Sequence, residues 1–224
     1  MTTSHEAPSA LPAQRRKPLG PVGTTVAAHI QRLQQGYRQD RPDAVATLAR
    51  IRRGAGKSAG ALPDLWGLTG TEQLYAGITD WPETRTTQAE EAVHIAVTLW
   101  ALHQQSHRGA DMHVPAGPEL GSAVRRLMPD GELDEPIRKR FVRAGTASSV
   151  DILAQRLREL VLLLRRGAIP LDYGLLSDQL FRWQQPEGQA EIHRSWGRSF
   201  HAYRPPNTEK AKKPDTTATD KDLS

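Results

Sequence analysis

Val93, Ala96, Val97, Leu99, Trp100 and Leu102 fall within one short stretch. At about 100° per residue they cover most of a helix circumference. A helix with a single apolar stripe can lie on a surface; one that is apolar on most sides has to be wrapped by other elements. The stretch is read as a central core helix. What surrounds it in sequence has helical period too, and no convincing alternation of strands and no internal repeat occurs. The chain is expected to be all-α, a multi-helix bundle of roughly eight to ten helices. Its 224 residues suffice for one compact domain or two small helical lobes with a real core.

The helices around that core are punctuated by local signals. Val22 to Gln39 sets Val26, Ile30 and Leu33 on one stripe. A helix from Pro42 has Asp40 as its expected cap and runs through Ala44, Val45, Leu48 and Ile51 to Gly54. Thr86-Thr87 with Glu90 has the form of a capping box for the central helix. Glu119 to Met128 is a short helix stopped by Pro129, and Asp134 caps a basic helix after it. Ser149 opens a long helix that turns Val150, Leu153, Leu157, Leu160, Val161 and Leu164 inward and ends at Gly167. Asp172 caps Leu175 to Trp183, and a last helix carries Ile192, Trp196 and Phe200. This organisation gives a helical domain over 23–204. Residues 1–22, with prolines at 8, 12, 18 and 21, and residues 205–224, almost devoid of apolar content, are expected to be disordered tails.

Charge is segregated. The formal net charge is only +5, yet between Arg15 and Lys57 ten Lys/Arg face just Asp40 and Asp43. From Asp64 to Asp111 acids dominate, and basic residues return from Arg125 onward. Such asymmetry points to a basic surface and a polyanionic partner. No cysteine is present, which excludes disulfides, thiolate metal sites and cysteine nucleophiles. No stretch approaches the ~20 apolar residues of a membrane span, and the N-terminus lacks an apolar signal core. A cytoplasmic, soluble protein with no membrane partner is expected.

Motifs for catalysis are thin. Gly54-Ala-Gly-Lys-Ser58 imitates a phosphate-binding loop, but Ile51 stands where the first glycine is required and a helix precedes it instead of a strand. It reads as a helix end and linker, with Lys57 extending the cations Arg50, Arg52 and Arg53. His103 and His107 lie one turn apart with His113 nearby, a spacing compatible with a metal-using hydrolase; Gln104 occupies the place of a general-base glutamate. Ser106, Ser122, Ser148 and Ser149 sit in no nucleophile elbow. The pairs Glu90/Glu91 and Asp134/Glu135 fit first-turn dipole complements better than general acids. No catalytic residue, metal site or cofactor is expected. Among five tryptophans, Trp100, Trp183 and Trp196 lie on apolar stripes, whereas Trp66 and Trp81 sit in loop-like stretches and are open to a base-stacking role.

The basic clusters carry the functional reading. Arg52-Arg53 ends one helix and Arg125-Arg126 lies on another. In Pro136-Ile-Arg-Lys-Arg-Phe-Val-Arg143, Ile137 and Phe141 share one face, while Arg138, Lys139, Arg140 and Arg143 are offered to the outside. Arg158 and Arg165 share a side of the long helix. No motif for reading base edges accompanies them, so contact with phosphates without sequence specificity is expected. A stand-alone helical nucleic-acid-binding regulator is the competing reading.

In order along the chain stand Leu48-Ala-Arg-Ile-Arg-Arg-Gly54, Leu99-Trp-Ala-Leu-His-Gln-Gln-Ser106, Leu120-Gly-Ser-Ala-Val-Arg-Arg-Leu127, Arg140-Phe-Val-Arg143, Ile169-Pro-Leu-Asp-Tyr173, Leu180-Phe-Arg-Trp-Gln184 and Trp196-Gly-Arg198. Over about residues 25–203 this series resembles the CasB family, the small subunit of the type I-E CRISPR surveillance complex Cascade. The resemblance implies an all-α subunit without enzymatic activity. It implies two copies head to tail, touching other Cascade subunits that coat the guide RNA and holding target DNA and the displaced strand. By position, Arg52 and Arg53 match a helix-end arginine pair, and Arg143 the arginine after the aromatic of the basic helix, with Lys139 and Arg140 beside it. Arg125 and Arg126 fall in a Leu-Gly-x-Ala-x-Arg segment, and Arg158 in a Leu-Arg step. The apolar loop His113-Val-Pro-Ala-Gly-Pro118 and Ser122 depart from the pattern, which would favour cations there. The tails lie outside the resemblance.

Overall fold

The computed structural model describes residues 18–129 and 132–203. Among them nine α-helices follow one another: α1 (Pro21–Arg38), α2 (Pro42–Ile51), α3 (Thr71–Gly77), α4 (Glu83–Gln104), α5 (Leu120–Arg126), α6 (Glu135–Gly145), α7 (Val150–Arg166), α8 (Tyr173–Trp183) and α9 (Gly188–Ala202). Short 3-10 turns occupy Arg52–Gly54, Ala59–Ala61 and Pro63–Leu65. No strand occurs among the described residues; His113 and Leu171 form one isolated bridge.

Helix α4 is the axis. Every residue from Ala92 to Gln104 is buried, whichever way it points, because α1, α2, α3, α7 and α8 all pack around it. One hydrophobic cluster runs from Val22 on α1 to Phe200 on α9, so the core is continuous and not split between two lobes. Two buried glutamines are fully tied into it. Gln34 bridges the indole Nε1 of Trp100, which donates to it at 3.2 Å, and the backbone of His113, with which it exchanges two bonds at 3.0 Å. Such pairing removes the cost of placing an amide in an apolar interior. Gln104 ties down the following turn by accepting from the Met112 amide and donating to the carbonyls of His107 and Ala110.

Three expected caps are made: Asp134, Ser149 and Asp172 accept from the amides of Ile137, Ile152 and Leu175. Two are not. Helix α2 has Arg41 at its cap, while Asp40 adopts a left-handed conformation (φ 57°) and pairs with Arg108. Helix α4 starts at Glu83, directly after Pro82, so Thr86 and Thr87 lie inside it and donate back to the carbonyls of Pro82 and Glu83. Glu90 and Glu91 consequently lie beyond the first turn. The tails expected at 1–22 and 205–224 lie outside the described residues, save for 18–22. There Pro21 is the first helical residue, Val22 is buried, and Asp178 of α8 accepts from the Gly20 and Gly23 amides at 2.7 Å each. Proline is well suited to that first position, whose amide has no helical partner, so it opens the helix instead of preventing it.

Candidate nucleic-acid interface

The expected cations occupy three places. The first is a groove between the end of α2 and α7. Beyond the 3-10 turn at Arg52–Gly54, Gly56 has φ +80°, a conformation that suits glycine. A Cβ there would also stand 2.9 Å from the Cδ of Arg158. The turn therefore lies directly on the stem of Arg158. Arg52, Arg53, Lys57 and Arg158 line one open groove of about 700 Å³ together with Gln155 and Glu159. Glu159 is already bonded to Arg156 at 2.9 Å. Arg53 donates to Asp64 at 2.7 Å, and both side chains are largely exposed. Such a pair contributes little in water and competes weakly with a phosphate.

The second place is α6. Ile137 and Phe141 are half-buried and pack against the core; Phe141 stacks on Phe200 of α9 at 5.3 Å. The helix lies against α7, so the ridge it presents and the groove holding Arg158 are joined by one helix. Lys139, Arg140 and Arg143 are exposed and form no close ion pair among the described residues, Lys139 acting on Glu135 only at longer range. Arg138 differs. It donates to Glu135 through two bonds at 2.6 and 2.7 Å. The guanidinium holds the Glu135 carboxyl below its ordinary range, and the carboxylate raises the arginine in turn. Arg138 thus offers less net charge than its three neighbours.

The third place is the end of α5. Helix α5 reaches α9 so closely that a Cβ on Gly121 would lie 2.0 Å from the Trp196 carbonyl oxygen. Arg125, half-buried, reaches the Pro129 carbonyl at 3.4 Å, and the Arg126 guanidinium lies 5.4 Å over the ring of Tyr203. These two cations do not join the α2–α7 groove. Across α9, Arg194 and Arg198 are exposed one turn apart, on the side away from Ile192, Trp196 and Phe200. Their i, i+4 spacing is visible in the sequence, but without consecutive cations they do not stand out as a basic cluster. Arg165, grouped with Arg158 by helical side, is used internally: it donates to the Gln105 carbonyl and to Ser106.

The other candidate residues have structural employment. His103 pairs with the Tyr173 hydroxyl at 2.9 Å, His107 with the Arg165 carbonyl at 2.9 Å, and His113 Nδ1 accepts from the Tyr173 amide at 3.1 Å. Burial pushes His103 down to about 3. Among the described residues no three His, Cys, Asp or Glu gather where they could hold a metal ion. Trp100, Trp183 and Trp196 are buried. Trp81 is half-buried, stacked on Phe181 at 5.2 Å, with the Arg85 guanidinium 4.2 Å from its ring and 5.7 Å from that of Phe181. Trp66 is 74% exposed. The 113–118 loop is strapped to the start of α8: the Val114 amide donates to the Leu171 carbonyl and the Ala116 amide to Asp172. Ser122 donates to the Glu119 carbonyl in its own helix. No helix among the described residues is long and apolar enough to cross a membrane.

A profile of the CRISPR-associated protein Cse2 matches residues 47–201. The chain belongs to the Cse2 family. The crystal structure of CasB from Thermobifida fusca is 54% identical to this Cse2 chain, with a TM-score of 0.76 over 83% of this chain and 100% of the other. CasB from Thermus thermophilus is 24% identical, TM-score 0.59, over 81% and 98%. A structure of a CRISPR RNA-guided surveillance complex contains a chain 21% identical, TM-score 0.56, over 80% and 95%. The latter two share the fold. No curated protein matches the chain. Membership of the Cse2 family makes the protein a subunit of a CRISPR system.

Proposed function

We propose that this Cse2 family member is a non-catalytic small subunit of a type I-E RNA-guided surveillance complex. In this reading its basic helix surfaces hold guide RNA, target DNA and the displaced strand, and so stabilise the R-loop. The observation that carries the proposal is the convergence of Arg52, Arg53, Lys57 and Arg158 in one groove, beside a helix bearing Lys139, Arg140 and Arg143. Arg125 and Arg126 add a third contact area. Cations mounted on rigid helices neutralise phosphates with little ordering cost and without reading sequence. R-loop formation is a near-balanced exchange of duplex for heteroduplex, so a few such contacts are enough to tip it. Other Cascade subunits and a second copy of the chain are the protein partners in this reading.

The test is anisotropy of the purified protein with scrambled single-stranded DNA, single-stranded RNA and duplex DNA across a salt series, followed by R-loop lifetime in the reconstituted complex. Sequence-blind binding with a steep salt slope, lost with Arg53→Glu and Arg143→Glu, is the expected result. Reversal variants that support wild-type R-loop lifetimes would sink the assignment. Sequence-selective binding by the protein alone would point to a regulator instead.

A further inference from the structure

One cleft is used by none of the basic surfaces. It lies between the Ala59–Gly60 turn, the loop around Trp66 and the start of α3, with α4 as its floor, and encloses about 440 Å³. That volume is in the range of small-ligand sites. Trp66 lines it while remaining 74% exposed, an unusual position for the largest apolar side chain. His94, on the α4 floor, is only 4% exposed, and its Nε2 has no hydrogen-bond partner. Buried polar atoms of that kind call for an explanation, since nearly all find a partner. Burial lowers the His94 pKa, partly offset by the backbone of Lys57 and Gly54, and keeps the ring neutral.

The surroundings select the ligand. Asp64, two residues before Trp66, accepts from Arg53 through its carboxylate and from Arg50 through its carbonyl. Cations thus stand next to the aromatic wall. Inside the cleft the charge is opposite: Glu72 and Glu90 line it, the latter accepting from the Tyr75 hydroxyl. Carboxylates repel a phosphate but accept hydrogen bonds from exocyclic amino groups. Every nucleobase has a face that stacks on an indole, and the amino-bearing ones also satisfy an acid. We propose that this cleft takes one unpaired, amino-bearing nucleobase, stacked on Trp66 with its amino group toward Glu72 and Glu90, while its flanking phosphates lie on Arg50 and Arg53. The inference rests on the reading of the protein as a holder of nucleic acid, but uses a different part of the surface.

The test separates the two. Tryptophan fluorescence of the full chain is titrated with deoxycytidine and with thymidine, nucleosides that carry no phosphate. In parallel, anisotropy compares oligo-dC with an abasic oligonucleotide of equal length. Deoxycytidine is expected to quench the exposed tryptophan, with thymidine much weaker, and oligo-dC to bind about fivefold or more tighter than the abasic chain. Trp66→Ala removes both differences while leaving circular dichroism and abasic affinity unchanged, because the side chain is mostly in solvent. Arg143→Glu with Arg158→Glu weakens both oligonucleotides yet preserves quenching by deoxycytidine. Quenching without any oligonucleotide binding would refute phosphate clamping by the isolated chain and keep the cleft. Absence of quenching together with equal affinity for oligo-dC and the abasic chain overturns the proposal, whether or not they bind. So does a Trp66→Ala protein that binds oligo-dC like wild type but no longer assembles with other subunits, which would assign the cleft to a protein partner.

Discussion

From Ala92 to Gln104 every residue of α4 is buried, whereas on α6 only Ala144 is. In α4 buried polar side chains are tied to specific partners: Trp100 to Gln34, Thr98 to the His94 carbonyl at 2.7 Å, His103 to Tyr173. In α6 two aromatic and aliphatic contacts, Phe141 and Ile137, hold the helix down, and the rest of its circumference is free for charge. The comparison separates residues chosen by packing from residues available for binding. A substitution in α4 is felt by the fold, and one on the outer side of α6 by the ligand.

The largest test of that separation is Trp100→Ala. It should cost about 3–5 kcal/mol in urea unfolding, and more if the Gln34 amide is left without its partner. A cost near 1 kcal/mol would show that α4 is not the axis. Acid comes next. Burial lowers His103 to about 3, with His29, His94 and His113 also lowered, chiefly by burial. The unfolded chain takes up a proton at His103 below about 6.5 that the native state refuses until about 3, so stability falls as pH drops through that window. His103 alone contributes up to about 1.4 kcal/mol per pH unit there. Glu91, whose carboxyl burial pushes up, opposes the trend where its own protonation differs. Denaturation midpoints at pH 7, 6, 5 and 4 measure the sum; a flat profile would contradict neutral buried histidines.

Phe141→Ala sharpens the other side. The ring is half-buried, so about 1–2 kcal/mol is expected, less than for a core aromatic. Arg143→Glu should change stability by no more than about 0.5 kcal/mol while weakening DNA binding in anisotropy. Smallest of all is Glu135→Gln. It releases Arg138, leaves the melting temperature where it was, and steepens the salt dependence of binding by about one phosphate contact. An unchanged slope would mean that α6 does not face nucleic acid.

Much of this was legible in the chain. The helical class, the core stripes of α7 and α9 and the caps Asp134, Ser149 and Asp172 are local properties, set by a period of 3.6 and by side chains bonding to amides three residues on. The helix boundaries missed at Asp40 and Thr86 failed for a reason equally local: Arg41 and Pro82 were better placed to begin those helices. Helix α3 buries only Leu74, so no apolar stripe marks it in the sequence.

What only the tertiary structure decided is which exposed groups meet. Arg158 joins Arg52, Arg53 and Lys57 because α7 packs beside the turn at Gly56, some hundred residues away in sequence. Trp81 packs against Phe181 and Arg85, while Trp66, in a similar stretch, stays 74% exposed at the edge of a cleft. Amphipathic period tells which side of a helix faces inward. It carries no information about which other helix lies there, and charge or aromatic character becomes a site only through that neighbour.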